Sequence, residues 1–479
     1  MSFQKAALYF LGTAAQSPNF LRNVTCTAFQ ELATGKCWLF DCGEGSQRQI
    51  LYCNNKLQTL RSEKEDPFPN DIHLKNINKI FITHLHADHI YGLPPLLCTL
   101  NIVNTTPTKG GKQTLINNEP IEIYGPTGIY DFIATNIEIT GTNINIPISI
   151  IELANGKDPQ RSIQPKRLLR NFTYKQIYPN SNGFYDIFDS SLCTVQSGRI
   201  SHGRSTSMGY VIKEKNTQGN IQIEAVQPIL ERNKNALLER GINCPEMLLK
   251  PLKMGKTIKL PDGSVLSPRD TSLLSPSIKG RTYTILGDTN NAKSLLPLCT
   301  GTDILIHEST IGPTVSDIFR SLSNPSFVSY FKRFETQLGR QWYIYKGVST
   351  INELYNNKEK RNKIVDILSN GLFYDKYKEW AIDAGHSTAV MAGEFSNLCD
   401  AKQVYLNHIS HRYITQTKDI SKGVNIQDIV NIQNNMTCDV QDIEDIAKKF
   451  YGKNSLQITS DMQVELFTRT VSYRQKIKE

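Results

Sequence analysis

Residues 83–89, which read Thr-His-Leu-His-Ala-Asp-His, constrain this chain more than any other segment. They follow the apolar run 80–82, and a short continuous run of this kind predicts a buried strand. Three imidazoles and a carboxylate therefore fall within six residues, where the strand gives way to a loop. Imidazole combined with carboxylate favours zinc, manganese or iron over magnesium or calcium. The segment predicts a transition-metal site at the end of a buried strand.

Length and composition exclude several classes of protein. With 479 residues and 39% hydrophobic side chains, the chain can form two packed lobes or one domain with long insertions. No apolar run approaches the roughly 20 residues that cross a membrane, which predicts a soluble protein without membrane contact. The ten cysteines are scattered and predict reduced thiols in an intracellular protein of the cytoplasm, the nucleus or an organelle. The net charge of +9 favours an anionic partner.

Polar residues also follow other short apolar runs. Asp288 comes after the run 283–286, His307 and Glu308 come after 304–306, and His408 comes soon after 404–406. In layered α/β proteins, ligands and catalytic groups gather where loops converge over the sheet. These strand ends therefore predict one composite site.

The pattern His-x-His-x-Asp-His at a strand end resembles the signature of the metallo-β-lactamase superfamily. That resemblance implies that the first two histidines hold one metal ion and that the Asp-His pair holds another. Two such ions, about 3.5–4 Å apart, clamp the oxygens of a phosphoryl displacement. His73 and His411 are left unassigned. The predicted ligand sets share Asp288 and consist of His84, His86 and His202 for one ion and of Asp88, His89 and His408 for the other.

Further motifs are similar to those of ribonuclease Z, the family of endonucleases that remove 3′ trailers from precursor tRNA. The step of 22 residues from His386 to His408 matches the family's spacing. The resemblance extends from residue 7 to about residue 465, with interruptions by insertions. The matching motifs are Phe-Leu-Gly-Thr at 10–13, Phe-Asp-Cys-Gly-Glu-Gly-Ser-Gln-Arg-Gln at 40–49, Ile-Tyr-Gly-Pro at 123–126, Leu-Gly-Asp-Thr at 286–289, His-Glu-Ser-Thr at 307–310, Gly-His-Ser-Thr-Ala at 385–389 and His-Ile-Ser-His-Arg-Tyr at 408–413.

The resemblance implies an α/β fold, the metallo-β-lactamase αββα sandwich, with a protruding tRNA-binding arm. Its first core part would span 1–212, the arm 213–281 and the second core part 282–479. Segments rich in Asn, Thr, Lys, Ser and Pro predict insertions at about 104–118, 155–182 and 312–380.

The resemblance also implies roles for individual residues. His386 would help to protonate the leaving 3′-oxygen, with His307 and Glu308 nearby as helpers, and Asp88 would orient the nucleophile or accept its proton. Ser387 and Thr388 before an apolar run also predict a helix start. Four lysines between 250 and 259 suit phosphate contacts, although a solvated lysine face has the same pattern. The implied tRNA-binding residues are Arg22, Asn23, Lys250, Lys253, Lys256 and Arg412.

Three positions depart from the family pattern. The Gly-Pro of the arm is Cys244-Pro245 here, which puts the arm geometry in doubt. Phe20 replaces the usual lysine of a loop associated with the tRNA 3′ end, so discrimination against mature CCA ends is open. The spacer from His202 to Gly209 is one residue longer than usual.

The resemblance thus implies an endoribonuclease with two Zn²⁺ ions per subunit, although other divalent transition metals would also suit the ligands. It would act on precursor tRNA as a homodimer and leave a 3′-hydroxyl on the tRNA and a 5′-phosphate on the trailer. Two alternatives stay open. One is a hydrolase of small phosphodiesters or thioesters with the same fold, and the other is a non-catalytic RNA-binding scaffold.

Overall fold

The protein is described by a computed structural model. It covers residues 5–19, 21–63, 70–107, 113–116, 118–155, 169–216, 219–314, 362, 365–366, 368–410, 441–460, 463–468 and 472–475. Within these residues, two large β-sheets pack face to face and helices cover their outer faces. No helix in the described part of the chain is both long and apolar enough to cross a bilayer.

The first half of the chain supplies most of one sheet. Its 3-10 turn is Leu74–Asn76. The helices are α1 (Ser46–Glu63), α2 (Ala87–Ile90), α3 (Leu93–Val103) and α4 (Ile129–Thr140). The strands are β1 (Lys5–Gly12), β2 (Ala14–Ala15), β3 (Cys26–Glu31), β4 (Cys37–Phe40), β5 (Ile77–Phe81), β6 (Thr105–Pro107), β7 (Gln113–Leu115), β8 (Ile121–Pro126), β9 (Ile148–Leu153), β10 (Phe172–Ile177), β11 (Tyr185–Asp189), β12 (Cys193–His202) and β13 (Ser205–Glu214).

The second half completes both sheets. Its 3-10 turns are Pro245–Leu248 and Lys293–Leu295. The helices are α5 (Ile223–Arg232), α6 (Lys234–Glu239), α7 (Leu249–Lys253), α8 (Leu296–Cys299), α9 (Leu372–Ala384), α10 (Ala389–Leu398) and α11 (441–451). The strands are β14 (Ile258–Lys259), β15 (Val265–Leu266), β16 (Thr282–Leu286), β17 (Ile304–Glu308), β18 (Gln403–Asn407), β19 (Ile409–Ser410), β20 (Leu456–Ile458), β21 (Gln463–Thr468) and β22 (Ser472–Gln475).

The described strands give sheet orders β10-β9-β8-β5-β4-β3-β1-β21-β22 and β11-β12-β13-β16-β17-β18-β20. An aromatic core joins the two sheets, where Phe29 of β3 meets Tyr283 of β16 edge to face at 5.1 Å. Separate apolar clusters lie between the first sheet and α1, α3 and α4, and between the second sheet and α10 and α11. The four layers form the predicted αββα sandwich. The apolar runs at 283–286, 304–306 and 404–406 that predicted strands all lie in strands of the second sheet.

The predicted arm has a small apolar core of its own, which includes Val226, Leu230 and Leu252. The chain leaves the second sheet at Glu214 and returns to it at Arg281. Backbone hydrogen bonds join the outgoing and returning segments, which form a two-stranded neck. The guanidinium of Arg281 donates to the buried carboxylate of Glu214 at 2.8 Å. β14 and β15 form a hairpin after Gly255. The first helix of the arm begins at Ile223, and Asn233 separates it from α6.

Two of the three predicted insertions contain regular secondary structure. Segment 104–118 contains the β6–β7 hairpin rather than only loop. Segment 155–182 contributes β10, which pairs in parallel with β9 at the edge of the first sheet. β-branched and aromatic residues such as Phe172 and Tyr174 favour a strand there despite the polar composition around them. Most of segment 312–380 lies outside the described residues, and its last part belongs to α9.

Candidate metal centre

The predicted metal ligands meet at one edge of the sandwich, where strands of both sheets end. His84 and His86 lie in the loop after β5, and Asp88 and His89 lie in the single turn of α2 rather than in a loop. His202 is the last residue of β12. Asp288 follows β16 by two residues, and His408 follows β18 directly. Strand ends of two packed sheets thus bring together residues that are far apart in the chain.

The first predicted ligand set surrounds the ring of His86. Its Nδ1 atom lies 3.0 Å from Nε2 of His84 and 3.1 Å from Nε2 of His202. Asp288 adds a carboxylate oxygen 3.6 Å from Nε2 of His84 and 4.0 Å from Nε2 of His202. One donor atom from each of these residues lies within 4.8 Å of the others.

The second predicted set lies on the other side of Asp288. The Nε2 atoms of His89 and His408 are 3.2 Å apart, and Oδ2 of Asp88 lies 3.3 Å from Nε2 of His408. Oxygens of Asp288 approach the two imidazoles at 3.3 Å and 3.2 Å. The structure therefore brings all seven predicted ligands together, with Asp288 between the two sets.

Hydrogen bonds behind the imidazoles decide which nitrogen each ring presents to the cluster. Nδ1 of His89 donates to Oδ2 of Asp41 at 2.7 Å, and Nδ1 of His202 donates to the carbonyl of Gly385 at 2.6 Å. Nδ1 of His408 donates to Oγ1 of Thr310 at 2.7 Å. Each ring is left with a lone pair on Nε2 that points into the cluster.

This donor set fits a pair of divalent transition metals. The imidazole nitrogens that face each other are about 3 Å apart, and the other nitrogen of each ring already forms a hydrogen bond. A cation between the facing nitrogens would stabilise this arrangement. Burial, followed by the nearby His89, holds the pKa of His84 well below its usual value, so this ring stays neutral. Burial opposes ionisation of Asp288, but His408 and His89 outweigh it and hold the pKa of this carboxyl well below its usual value. Neutral imidazoles and ionised carboxylates are the forms that bind metals.

The sequence did not assign Asp41 and Thr310, which hold predicted ligands in place. Asp41 accepts from the backbone N–H and the hydroxyl of Thr83 at 2.7 and 2.8 Å, besides its bond to His89. Asp41 and His408 have left-handed backbone conformations with φ of 60° and 55°. Such conformations cost on the order of 1–3 kcal/mol and cluster at functional sites. The signal for Asp41 was present, because this residue directly follows a strand in the matched motif at 40–49.

We expect Asp41→Asn to weaken metal binding by about 10- to 100-fold, because it removes the charge that orients the ring of His89. Asparagine tolerates positive φ, so the backbone should keep its conformation. Metal titration of the variant, with its melting temperature as a control for folding, measures the effect. An unchanged metal affinity would contradict the assigned role of Asp41.

His386 lies next to the cluster and forms a buried pair with Glu308. Its Nδ1 atom is 3.1 Å from Oε1 of Glu308 and 3.8 Å from Oδ2 of Asp288. Burial opposes protonation of this ring, but Glu308 and then Asp288 outweigh it and raise the pKa of His386 to about 9.

Thr388 caps α10, since its hydroxyl accepts from the N–H of Met391 at 3.2 Å, so the predicted helix start is confirmed.

His307 does not join the predicted catalytic group. Consecutive strand residues point to opposite faces, so the side chain of His307 turns away when that of Glu308 reaches the site. The ring of His307 packs against Phe395 of α10 at 5.5 Å, and its Nδ1 donates to the carbonyl of Glu308 at 2.7 Å. The prediction that His307 assists the reaction directly is therefore corrected.

The predicted tRNA-binding residues divide into three groups. Arg22 is buried, and its guanidinium donates to Oγ1 of Thr13 and to the carbonyl of Thr459, so it stabilises the core. Asn23 is half-buried and donates to the carbonyl of Glu44 at 2.7 Å. The burial of Arg22 corrects its predicted contact with tRNA, whereas the contact of Asn23 stays a prediction. Arg412 lies outside the described residues, and the remaining positions, which are exposed on the arm, are Lys250, Lys253 and Lys256.

Comparison with known proteins identifies the family. A family model described as the metallo-beta-lactamase superfamily matches residues 20–112. Ribonuclease Z of Lacticaseibacillus casei is 33% identical over 313 residues, which are 65% of this chain and 75% of that protein. The chain belongs to the ribonuclease Z family. Ribonuclease Z of Bacillus cereus is 32% identical over 302 residues, which are 63% of this chain and 75% of the relative.

Solved structures with the metallo-β-lactamase fold also resemble this ribonuclease Z family member. The short form of human tRNase Z is 21% identical, with a TM-score of 0.47, and the match covers 96% of this chain and 98% of the human one. The match to curated ribonuclease Z relatives and the family model confirm the family and the fold predicted from the sequence motifs.

Proposed function

We propose that this chain is a two-zinc endoribonuclease that removes 3′ trailers from precursor tRNA. The main support is the geometry of the cluster, in which two sets of histidine and aspartate donors share Asp288 and lie beside the His386–Glu308 pair. The relatives of this chain are named ribonuclease Z, which indicates RNA as the class of substrate. The products would be a tRNA with a 3′-hydroxyl and a trailer with a 5′-phosphate.

The seven predicted ligands would hold two Zn²⁺ ions, which would supply positive charge for phosphate oxygens and lower the pKa of a bound water. Asp88 lies at the open side of the second set, and Oδ2 also accepts the backbone N–H of Gln16 at 2.7 Å. This bond fixes the carboxylate, so Asp88 can orient the attacking water and accept its proton.

His386 would supply the proton for the leaving 3′-oxygen. Glu308 fixes the orientation of this ring, and it also accepts the backbone N–H groups of Thr289 and Ser387 at 2.5 and 3.2 Å. A carboxylate with this many donors stays ionised and favours the protonated imidazole. The pairing with Glu308 therefore favours a protonated ring on His386, which would act as the general acid.

Cleavage of a 3′-extended tRNA tests the proposal. We expect one internal cut at the 3′ side of the tRNA, a 3′-hydroxyl and a 5′-phosphate by end mapping, and loss of the reaction with a chelator. Hydrolysis of small phosphodiesters without any cut in the tRNA would favour the alternative of a small-molecule hydrolase. A chain that binds tRNA but contains no metal and cuts neither substrate would favour the scaffold alternative.

We propose residues 213–281 as the tRNA-binding arm. Gln222 and Leu273 are joined by a backbone hydrogen bond of 2.8 Å at the end of the neck, so the arm can be removed there without stretching the core. We expect a variant with a short Gly/Ser turn in place of 223–272 to hydrolyse a chromogenic phosphodiester normally but to bind precursor tRNA far more weakly. Equal loss on both substrates would mean that the arm supports the fold.

The three exposed arm lysines should contact phosphates. We expect the triple change of Lys250, Lys253 and Lys256 to alanine to weaken precursor-tRNA binding and to reduce the slope of log affinity against log salt by up to about 3. The triple change of Lys75, Lys175 and Lys376 to alanine, which removes three exposed charges outside the arm, is the matched control. A salt slope equal to that of the unchanged protein would contradict the phosphate contacts.

We also propose an intracellular homodimer. None of the described cysteines forms a disulfide, which agrees with a reducing compartment. Large apolar side chains of α1 and α3 are exposed, among them Leu51 at 57% and Ile102 at 68%, and a partner subunit would cover them. Light scattering tests the dimer, and a monomer at micromolar concentration would contradict it.

A further inference from the structure

A cavity of about 640 Å³ lies beside the predicted catalytic residues and has no role in the mechanism above. Ser387, which follows His386 directly, lines it, and so does Asn290, two residues after Asp288. α9, α10 and α11 enclose it. A volume of this size is typical of sites for small organic groups.

The walls of the cavity are mainly apolar, and two lysines lie among its charged residues. Aromatic and aliphatic side chains of this kind can pack against the flat ring of a ligand. Glu394 is the acidic residue among the described lining residues. Lys293 is exposed and Lys378 is half-buried, so both ammonium groups can reach solvent and a nearby phosphate. The apolar lining residues are Ala292, Ile382, Met391, Phe395, Leu398 and Phe450.

His307 supplies a hydrogen-bond acceptor to this cavity. Its ring is 1% exposed, and Nδ1 carries the hydrogen that is donated to the carbonyl of Glu308. Nε2 therefore holds a lone pair, and among the described residues no group donates to it. Burial also lowers the pKa of His307, which keeps the ring neutral. A ligand or a water in the cavity could donate a hydrogen bond to this lone pair.

We propose that this cavity binds one unpaired nucleobase of the RNA substrate, next to the scissile phosphate. The apolar walls hold the base, Nε2 of His307 accepts one of its N–H groups, and Lys293 and Lys378 contact the adjoining phosphates. All four bases carry an N–H donor, so the cavity favours an unstacked base without selecting one sequence. This inference rests on the proposed function, since it assumes that RNA crosses the metal centre.

Kinetics on two substrates test the proposal. We expect His307→Leu to raise KM for 3′-extended tRNA by about tenfold with little change in kcat, because the contact is equal in the ground and transition states. Hydrolysis of a small chromogenic phosphodiester should not change, because that substrate does not reach the cavity. His307→Gln, which places an amide oxygen near the position of Nε2, should restore most of the affinity, and Lys293→Ala with Lys378→Ala should also raise KM.

Abasic substrates identify the base itself. At one position within two nucleotides of the cut, removing the base should raise KM of the unchanged protein by tenfold or more, and it should raise KM of His307→Leu by a smaller factor, because only the apolar contacts are left to lose. Independent effects at every position would overturn the proposal. So would an equal loss on the small phosphodiester, because His307 would then only support Glu308.

Binding of the four nucleoside 5′-monophosphates, followed by the imidazole NMR signal of His307, does not depend on cleavage. A shift of this signal supports the cavity even if tRNA is not cut, whereas no shift with any of the four at millimolar concentration overturns it. Failure of the proposed function is distinct, because it would appear as an uncut 3′-extended tRNA with the unchanged protein.

Discussion

His86→Ala and His408→Ala should each lower the rate of precursor-tRNA cleavage by more than about 10³-fold. Metal ions supply several kcal/mol of charge stabilisation to a phosphoryl transition state, and each 1.36 kcal/mol is a factor of ten in rate. The two residues belong to different predicted ligand sets, so both ions are tested. Binding of precursor tRNA should stay nearly intact, because the arm lies outside the cluster.

His73→Ala is the matched control for these two variants. This histidine is exposed, precedes the first sheet's β5 and has no predicted role in the cluster. Its replacement should leave both the rate and the metal content unchanged. If His86→Ala or His408→Ala kept most of its activity, the predicted ligand set would be wrong.

His386→Ala should slow cleavage by about 10²- to 10⁴-fold, which is the usual contribution of a general acid. Metal content should not change, since the seven predicted ligands remain. Single-turnover rates with saturating enzyme separate the chemical step from binding, and metal analysis of the purified variant is the control. Loss of metal together with activity would show instead that His386 is a ligand or a support for one.

The sequence was a good guide to residues whose role depends on a strand end. His84, His86 and Asp288 each follow an apolar run that forms a strand. The end of that strand fixes their position at the edge of the sheet. The αββα layers followed from the motif order in the same way. His202 was harder to place, since its strand alternates buried and partly exposed residues.

Other features depended on contacts between distant parts of the chain. An arginine in a polar loop is usually solvated, but Arg22 is buried against Thr459, which is 437 residues away. The direction of His307 was available from strand alternation and was missed, because the motif His-Glu-Ser-Thr was treated as one unit. Thr310 gave no local signal, since its role depends on where the ring of His408 lies.

His89 and His408 are 319 residues apart in the chain, so the ribosome makes them at well-separated times. N-terminal segments fold first during synthesis, so the seven strands of the first sheet from β1 to β10 can pair before β18 of the second sheet is made, although β21 and β22 join them last. Such a nascent chain lacks His408 however well its first sheet folds. A truncated product of translation would therefore carry the arm without a complete metal centre, and it would compete for RNA without cutting it. Nuclease activity would therefore require synthesis of the chain at least as far as His408.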